Sequence, residues 1–592
     1  MASTFFGLNI GTSGLYTYQA ALNTTAHNVS NAETAGYTRQ VLNQTASTPI
    51  SVGSSYGMVG TGVTATTITQ VRNNYYDTKY RSNSAIYGNY NVKEQYMKEL
   101  ETYFNEMDNQ GFMTNFSNFS SSLQELSKNP SSTSVRSQII NYGKSLSEQV
   151  NYLANSLVSI QKEANTDIKN TADRINSINE QIAMLTKQIN TVETNGTIAN
   201  DLRDQRNLLV DELSEYANVS VSEHVVGNDV GRTSYLVKID GKIAVNTTEY
   251  VTLNAVARTT KSNVGDMEGV YDLVWSDGQE FNEASKTLGG SLQALFELRD
   301  GNNGEQFRGT VSAQEGSKIT ISNANVASEL QLNIPPSGKI KIGNIEMEYT
   351  SFSMKKGADG TLEYTFELEE GSKNYKFQDG VASIGANVNY KGIPYYMNEL
   401  NEFVRTFSKA YNDIHKTGND MNGTSGLDFF TGYNKVDGGD YTFGAAGEEF
   451  TYENSYYHMN ALNFSVNQEI QKDPNAIVTS SNPDNGVESA DILDKLIKVI
   501  DDKSMFKEGS PVTFFQTLIS DVGIDTKKAE DFAESQKNIV SSVDNQRISV
   551  SGVDVDEEAM NLVRFQNAYN LSAKVISIMD EVYERLINYM GA

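Results

Sequence analysis

The carboxyl-terminal stretch 551–590, SGVDVDEEAMNLVRFQNAYNLSAKVISIMDEVYERLINYM, decides the architecture of this chain. Within it, one position in every seven is occupied by an apolar or aromatic residue without a miss. These positions are Val555, Leu562, Tyr569, Ile576, Tyr583 and Met590. Such a repeat is typical of α-helices that wind around a partner, because about 3.5 residues per turn keep one seam facing inward. The stretch therefore predicts a long helix that needs a partner.

The amino-terminal end carries the same repeat, with Leu8, Leu15, Leu22 and Val29 also seven residues apart. Chain ends usually fray, so a matched pattern at both extremes favours pairing over packing of each helix on its own domain. We predict a coiled-coil pair of terminal helices, formed by residues 1–60 and 551–592. We also expect these ends to be mobile in the monomer and ordered once neighbouring copies cover the assembly seam.

The carboxyl-terminal helix has a clear start signal. Asp554 stands at the N-cap position and Glu557 follows three residues later, which is the spacing of a capping box. The acidic residues at 556–558 also suit the positive end of the helix dipole. Clustered carboxylates occur at metal sites too, but no histidine is near, and hard cations need oxygens that converge from a loop. The cluster therefore predicts a helix cap.

Between the two ends the chain changes its hydrophobic period. Isoleucines recur every seven residues at Ile168, Ile175, Ile182 and Ile189, which predicts a helix over 160–192. An earlier helical region, 123–157, is divided at Asn129-Pro130, where Ser131 or Ser132 is available as the next cap. After residue 217 the period becomes two, which is typical of strands.

These patterns predict an α+β multidomain fold in which β-rich domains are inserted into a helical rod domain. The helical core is expected to combine residues 61–220, 288–300, 393–430 and 463–550. Residues 221–287 are expected to form a β-rich domain and 301–392 an inserted β domain. Residues 431–462 are expected to be an irregular loop or a β extension.

Composition narrows the function of the 592-residue chain. It carries 74 acidic and 47 basic side chains, and the resulting charge of −27 disfavours nucleic acid and anionic membranes as partners. The absence of cysteine excludes disulfides and thiolate chemistry, and four histidines are few for an enzyme. No apolar run approaches the ~20 residues of a membrane span. We predict a structural protein without catalytic residues, metal or cofactor.

Five motifs, in order along the chain, resemble one protein family. The first is NVSNAETAGYTRQ at 28–40, which departs from relatives only at Ala35, where many carry proline. The others are LRDQRNLLVDEL at 202–213, the region 393–430, Asp473-Pro474 and SGVDVDEEAMNLVRFQNAYNLSA at 551–573. Together they resemble the type 1 hook-associated family within the flagellar rod and hook axial protein superfamily.

The resemblance implies a structural role at the junction between the hook and the filament of the bacterial flagellum. It implies an extracellular homo-oligomeric ring whose terminal helices pair in an inner tube after type III export. The start of the chain lacks a secretory pattern, so we expect export without a cleaved signal peptide. Implied partners are the hook protein, the second junction protein on the filament side, and an export chaperone at the carboxyl-terminal helices.

The first motif supplies the candidate site residues, which are Asn28, Asn31, Gly36, Tyr37, Arg39 and Gln40. Gly36 suits a turn after the first helix, and the two asparagines can bond backbone groups at the helix end. Tyr37 and Arg39 are expected to contact a neighbouring subunit, because aromatic residues and arginine dominate interfaces.

Two alternatives stay open at this point. The chain could be another flagellar axial protein, such as a third-type junction protein, a hook protein or a filament subunit. The 202–213 motif, the β insertions and the length favour type 1. It could also be a flagellar protein with a hydrolase insertion that uses carboxylates such as Glu363 or Glu369.

Overall fold

The computed structural model of the chain describes residues 6–51, 57–109, 111–226, 233–357, 360–444, 450–482, 486 and 488–589. Within these ranges the backbone forms eleven α-helices. They are α1 (Phe6–Ser30), α2 (Asn74–Asn109), α3 (Phe112–Lys128), α4 (Thr133–Glu193), α5 (Asn200–Tyr216), α6 (Gly290–Asp300), α7 (Ile393–His415), α8 (Gln468–Lys472), α9 (Asp491–Ile500), α10 (Pro511–Ser551) and α11 (Val555–Tyr589). None of these described helices has the length and apolarity of a membrane span.

The strands form antiparallel sheets of two to six strands. They are β1 (Gln40–Ala46), β2 (Ile50–Ser51), β3 (Met58–Val59), β4 (Val63–Gln70), β5 (Val219–Val225), β6 (Thr233–Ile239), β7 (Lys242–Asn246), β8 (Glu249–Tyr250), β9 (Leu253–Ala257), β10 (Tyr271–Trp275), β11 (Phe307–Glu315), β12 (Lys318–Ser322), β13 (Gly338–Ile342), β14 (Ile345–Lys356), β15 (Leu362–Leu368), β16 (Val381–Ile384), β17 (Phe430–Asn434), β18 (Gly439–Asp440) and β19 (Phe464–Val466). The α+β multidomain class predicted from the sequence is confirmed.

Helix α4, 61 residues long, is the axis of the helical core. Its four repeated isoleucines are fully buried, because a seven-residue repeat keeps them on one face of the helix. Ser132 caps the helix by accepting a hydrogen bond from Val135 N at 3.4 Å, as the sequence predicts. The two predicted helical regions on either side of residue 158 are one continuous helix, since no glycine or proline stands where they join.

Helices α2 and α10 run antiparallel along this core. Thr526 Oγ1 donates to Met97 O at 3.1 Å, and the rings of Tyr90 and Phe532 stack with centroids 5.0 Å apart. Beyond α10 the chain turns at Gly552 and continues as α11, which lies against α1. The first and last helices therefore pack on each other.

The four-stranded sheet β5-β6-β7-β8 packs on the helical core. Tyr235, Val237 and Ile239 on β6 belong to the same buried cluster as the isoleucines of α4. The sequence predicts a β-rich domain over 221–287, and in the structure the buried face of its sheet packs on the helices. Residues 431–462 likewise contribute Phe443 and Tyr456 to the helical core. Alternation along a strand shows that one face is buried but not what covers it.

The second β region has a hydrophobic core of its own. Strands β11-β12-β15-β14-β13-β16 close into a barrel, and their inward side chains form a cluster distinct from the helical one. The chain enters and leaves the barrel side by side. Gly392 N donates to Gly301 O at 3.2 Å, and Asn303 N donates to Tyr390 O at 2.8 Å. The barrel is therefore an insertion whose two ends are bonded to each other.

Candidate assembly interface

Helices α1 and α11 pack antiparallel through small residues. Gly7 lies against Met579, and Gly11 lies against Ile576 further along the pair. A Cβ atom on Gly11 would lie 2.9 Å from Ile576 Cγ1, which is closer than real side chains pack. Glycine is therefore required at this position for the two backbones to approach so closely.

The seam positions predicted from the seven-residue repeat differ in how deeply they are buried. On α11, Leu562, Tyr569 and Ile576 are half-buried and Tyr583 is buried, whereas Val555 at the start is exposed. Met590 lies outside the described residues. On α1, the three seam leucines are half-buried and Val29 is exposed. The seam leucines are Leu8, Leu15 and Leu22.

The buried face of α1 is built from small and polar residues instead. Its members are Gly11, Gly14, Thr17, Ala21, Thr24, Thr25 and Asn28. The sequence prediction relied on the large apolar side chains, and this face has none. Small side chains allow short interhelical distances, and threonine hydroxyls bond back to their own helix, as Thr17 Oγ1 does to Ser13 O at 2.9 Å.

A further line of apolar side chains on α11 faces solvent. Its members are Met560, Val563, Leu571, Val575, Ile578, Val582 and Leu586. They recur every three or four residues with one polar interruption at Asn567, so they follow one face of the helix. Leu571 is 68% exposed. We call this set the outer stripe of α11. A helix with apolar side chains both against a partner and towards solvent is suited to a further contact.

Asn28 organises the chain after α1. Its side-chain amide donates to Gln40 O at 2.8 Å, and its Oδ1 accepts from Gln40 N at 3.0 Å and from the Tyr37 hydroxyl at 2.8 Å. Asn31 Nδ2 donates to His27 O at 3.0 Å, and Gly36 makes the turn with a φ of +76°. Gly36 therefore lies in a turn, and both asparagines bond backbone groups at the end of α1.

Arg39 joins the two ends of the chain. Its guanidinium donates to Glu557 Oε1 and Glu558 Oε1, both at 2.7 Å, and its backbone N donates to Ser551 O at 2.9 Å. Asp554 Oδ1 caps α11 by accepting from the backbone N of residues 556 and 557 at 3.0 and 3.1 Å. The sequence predicts that Tyr37 and Arg39 contact a neighbouring subunit, and in the structure both have partners within the chain.

The 202–213 motif supplies charged partners to which the sequence analysis assigned no role. Thr38 donates to Asp204 through its backbone N at 2.9 Å and its hydroxyl at 2.7 Å. Asp211 accepts from Arg81 and from Arg547, both at 2.6 Å. Burial raises the pKa of Asp204 to about 6, opposed by the hydrogen bonds from Thr38. The signal in the sequence that could have identified these partners is the spacing of Asp204 and Asp211, which lie seven residues apart on one face of the helix.

Comparison with known families agrees with this arrangement. The family described as the helical domain of flagellar hook-associated protein FlgK matches residues 97–313 and 327–430, which is more than half of the chain. The chain belongs to the FlgK family. The ends match two further families, the flagella basal body rod protein over 8–38 and the carboxyl-terminal part of the flagellar basal body rod proteins FlgEFG over 544–588.

Relatives within the FlgK family match along the whole chain. Flagellar hook-associated protein 1 of Bacillus subtilis strain 168 is 29% identical over 599 residues, covering 100% of this chain and 99% of that protein. The protein of the same name from Salmonella typhimurium is 25% identical over 622 residues, covering 98% and 99%. The solved flagellar hook junction protein FlgK of Burkholderia pseudomallei is 14% identical, with a TM-score of 0.44 over 80% of this chain and 100% of that one.

As a member of the FlgK family, the chain is an exported structural protein of the flagellum at the junction of hook and filament, and it is not an enzyme. The predicted type 1 hook-associated identity is confirmed. Glu363, considered above as a hydrolase residue, forms an ion pair with Lys355 at 3.1 Å on the barrel, and Glu369 is exposed. Among the described residues, no group of three acidic or histidine side chains is placed to hold a metal ion.

Proposed function

We propose that this chain assembles as a homo-oligomeric ring in which the terminal helices of neighbouring subunits pair in an inner tube. The observation that carries the proposal is the outer stripe of α11. Helix α11 already packs on α1 through residues such as Ile576 and Met579, and the outer stripe beside that contact is exposed and available to a neighbouring copy. Full burial of one large apolar side chain contributes about 1.5–3 kcal/mol, and the stripe has seven members.

We assign each segment of the chain a place in the ring. Residues 1–60 and 551–592 form the coiled-coil pair of the inner tube, and the helical core of 61–220, 288–300, 393–430 and 463–550 surrounds it. The β regions 221–287 and 301–392 lie outside the tube, with 431–462 as an extension. Arg39 then fixes the orientation of α11 relative to α1, and Tyr37 bonds Asn28 at the end of α1, so their contribution to the ring is through the terminal pair.

The proposed partners follow from the position at the junction. The hook protein binds one side of the ring and the second junction protein binds the filament side. Before secretion, an export chaperone covers the carboxyl-terminal helix, because the outer stripe is a liability for aggregation while it is exposed. Export proceeds through the flagellar type III channel without cleavage of a signal peptide. Amino-terminal sequencing of the secreted protein tests that last statement.

A pair of variants on adjacent residues tests the ring. Leu571→Asp places a charge in the outer stripe, and Asn570→Asp places the same charge on an exposed polar position beside it. We expect cells with Leu571→Asp to keep their hooks and shed filament subunits into the medium, and cells with Asn570→Asp to swim normally. Circular dichroism of both purified proteins should match the parent.

The opposite result has a clear meaning. Normal filaments on cells that carry Leu571→Asp would show that the outer stripe is not an assembly surface. Normal filaments on cells that lack the chain altogether would contradict the junction role in this organism.

A further inference from the structure

A short segment of the chain, residues 450–459, contacts both hydrophobic cores of the molecule. Tyr456 and Met459 belong to the buried cluster of the helical core, and Tyr457 belongs to that of the barrel. Phe450 packs against the barrel cluster as well. We call this segment the strap. Two consecutive residues of the strap are therefore buried in different hydrophobic cores.

The two tyrosines fix the strap at both of its contacts. The hydroxyl of Tyr457 donates to Ile334 O at 2.8 Å, and its ring meets that of Phe352 edge-on, with centroids 5.2 Å apart. The ring of Tyr456 stacks on Phe443 of the helical core with centroids 4.1 Å apart. Both tyrosines are buried, so water competes for neither contact.

Arg405 on α7 joins the strap to the barrel insertion. Its Nε donates to Met459 O at 2.7 Å and its Nη2 donates to Tyr457 O at 3.0 Å, both on the strap. Its Nη1 donates to Leu332 O at 2.6 Å, in the connection between β12 and β13. Arg405 is fully buried, and none of its acceptors in the described chain is a carboxylate. Backbone carbonyl groups of the strap and of the insertion therefore hold its charge.

The same connection receives two more bonds from the loop between β9 and β10. Val264 N donates to Asn333 O at 3.1 Å, and Lys261 forms a β-bridge with Gly338. Residues 330–338 are therefore a docking segment, which bonds to α7, to the strap and to this loop. These bonds add to those at the two chain crossings of the barrel described above.

We propose that Arg405 and the strap lock the barrel in one orientation, so that the barrel and the helical core move as one rigid body. Bonds at the chain crossings alone would leave the barrel free to turn about that place, and the bonds to the docking segment remove this freedom. A buried guanidinium that loses some of its acceptors is costly, so the strap and the docking segment stay bound or are released together. This inference does not depend on the ring.

The test measures the distance between a spin label on the barrel and one on the helical core by double electron–electron resonance. The chain has no cysteine, so Ser353→Cys on β14 and Asn170→Cys on α4, both at exposed positions, supply two unique labelling sites. We expect one narrow distance distribution in the labelled parent and in Arg308→Gln, which removes an exposed arginine of the barrel as a control. We expect a broader distribution in Arg405→Gln, because the barrel can then turn about its chain crossings.

Hydrogen exchange followed by mass spectrometry gives a second readout. Tyr457→Phe removes only the bond to Ile334 and keeps the ring in the barrel core. We expect exchange across the strap and the docking segment to become about tenfold faster in Arg405→Gln and about threefold faster in Tyr457→Phe, while β15 keeps the rate of the parent.

Three results would overturn the lock. The first is a broad distance distribution in the labelled parent. The second is a folded Arg405→Gln that keeps the narrow distribution of the parent, whatever its exchange rates. The third applies if Arg405→Gln does not fold, and it is exchange in Tyr457→Phe at the rates of the parent.

Discussion

Two helical seams in this molecule follow the same seven-residue repeat and are used differently. In α4, the repeated isoleucines are fully buried inside a single chain. In the α1–α11 pair, small residues occupy the contact and most of the large apolar side chains remain half-buried or exposed. The helical core is complete within one subunit. The terminal pair keeps apolar surface available, which is what a part that joins subunits requires.

The largest effect expected from this comparison is a difference between two truncations. Ile175→Ala removes a fully buried side chain of α4 and should lower the free energy of unfolding by about 3 kcal/mol, because it leaves a cavity. Leu571→Ala removes an exposed side chain of α11 and should change it by less than about 0.5 kcal/mol. Urea unfolding followed by circular dichroism measures both. Equal losses would mean that the monomer relies on α11 as much as on α4.

A buried histidine makes the core sensitive to acid. His415 Nδ1 donates to Leu427 O at 2.7 Å and Nε2 accepts from Val478 N at 3.0 Å, so the ring is neutral. Burial lowers the pKa of His415 to about 4. The unfolded chain, with a pKa near 6.5, takes up the proton first, so stability falls as pH drops from 6.5 towards 4.

We expect His415 to account for a loss of about 2 kcal/mol in the free energy of unfolding between pH 7 and pH 5. His415→Gln should be less stable than the parent at pH 7 and should show a shallower dependence on pH. Burial also lowers the pKa of His458, so the measured quantity is the difference between parent and variant. Identical slopes in the two proteins would contradict the assignment to His415.

The close contact between α1 and α11 should fail locally when it is overfilled. Gly11→Val introduces a side chain where a Cβ atom would already lie 2.9 Å from Ile576 Cγ1. We expect the pair to be destabilised by about 1–3 kcal/mol while α4 is unaffected. Hydrogen exchange followed by mass spectrometry reads out each helix separately. In the parent monomer, residues 555–589 should already exchange faster than α4, and strong protection there would contradict the expected mobility of the ends.

The smallest effect expected concerns the ion pairs that hold α11. Arg39→Gln leaves the buried carboxylate of Glu558 without its partner and should destabilise the terminal pair by about 1 kcal/mol. Arg585→Gln breaks an exposed pair with Glu581 on the same helix and should cost less than about 0.5 kcal/mol. Exchange in the first turns of α11 distinguishes the two. If Arg585→Gln destabilised the terminal pair as much as Arg39→Gln does, Arg39 would have no special role in holding α11.

Local signals predicted local structure well. The isoleucine repeat indicated the second half of α4, one of two candidate serines caps it, Asp554 caps α11 and Gly36 makes a turn, and each of these features depends on residues that are close in sequence. The face of α1 that contacts α11 was missed for a related reason. Apolar patterning reports how hydrophobic a face is, and the distance between two backbones depends on side-chain size.

Pairings across the chain could not be predicted. Thr38 meets Asp204 across 166 residues, and Arg39 meets Glu558 across 519. Each of these side chains alone is an ordinary charged or polar surface residue. These side chains become partners only when the fold brings α1, α5 and α11 together. The sequence pattern does not give the distances between those helices. The same limit explains why strand alternation over 221–287 could not show that the sheet packs on the helices.

The chain enters the barrel at Gly301 and leaves it at Gly392, and the bond between these two residues has a consequence for how the molecule can evolve. Since entry and exit of the barrel are hydrogen-bonded neighbours, the chain leaves the helical core and returns to it at one place. An insertion of another length can replace the barrel without changing the distance between these two residues of the core. The insertion is thereby free to change in length, while the two crossing points in the helical core stay at the same distance from each other.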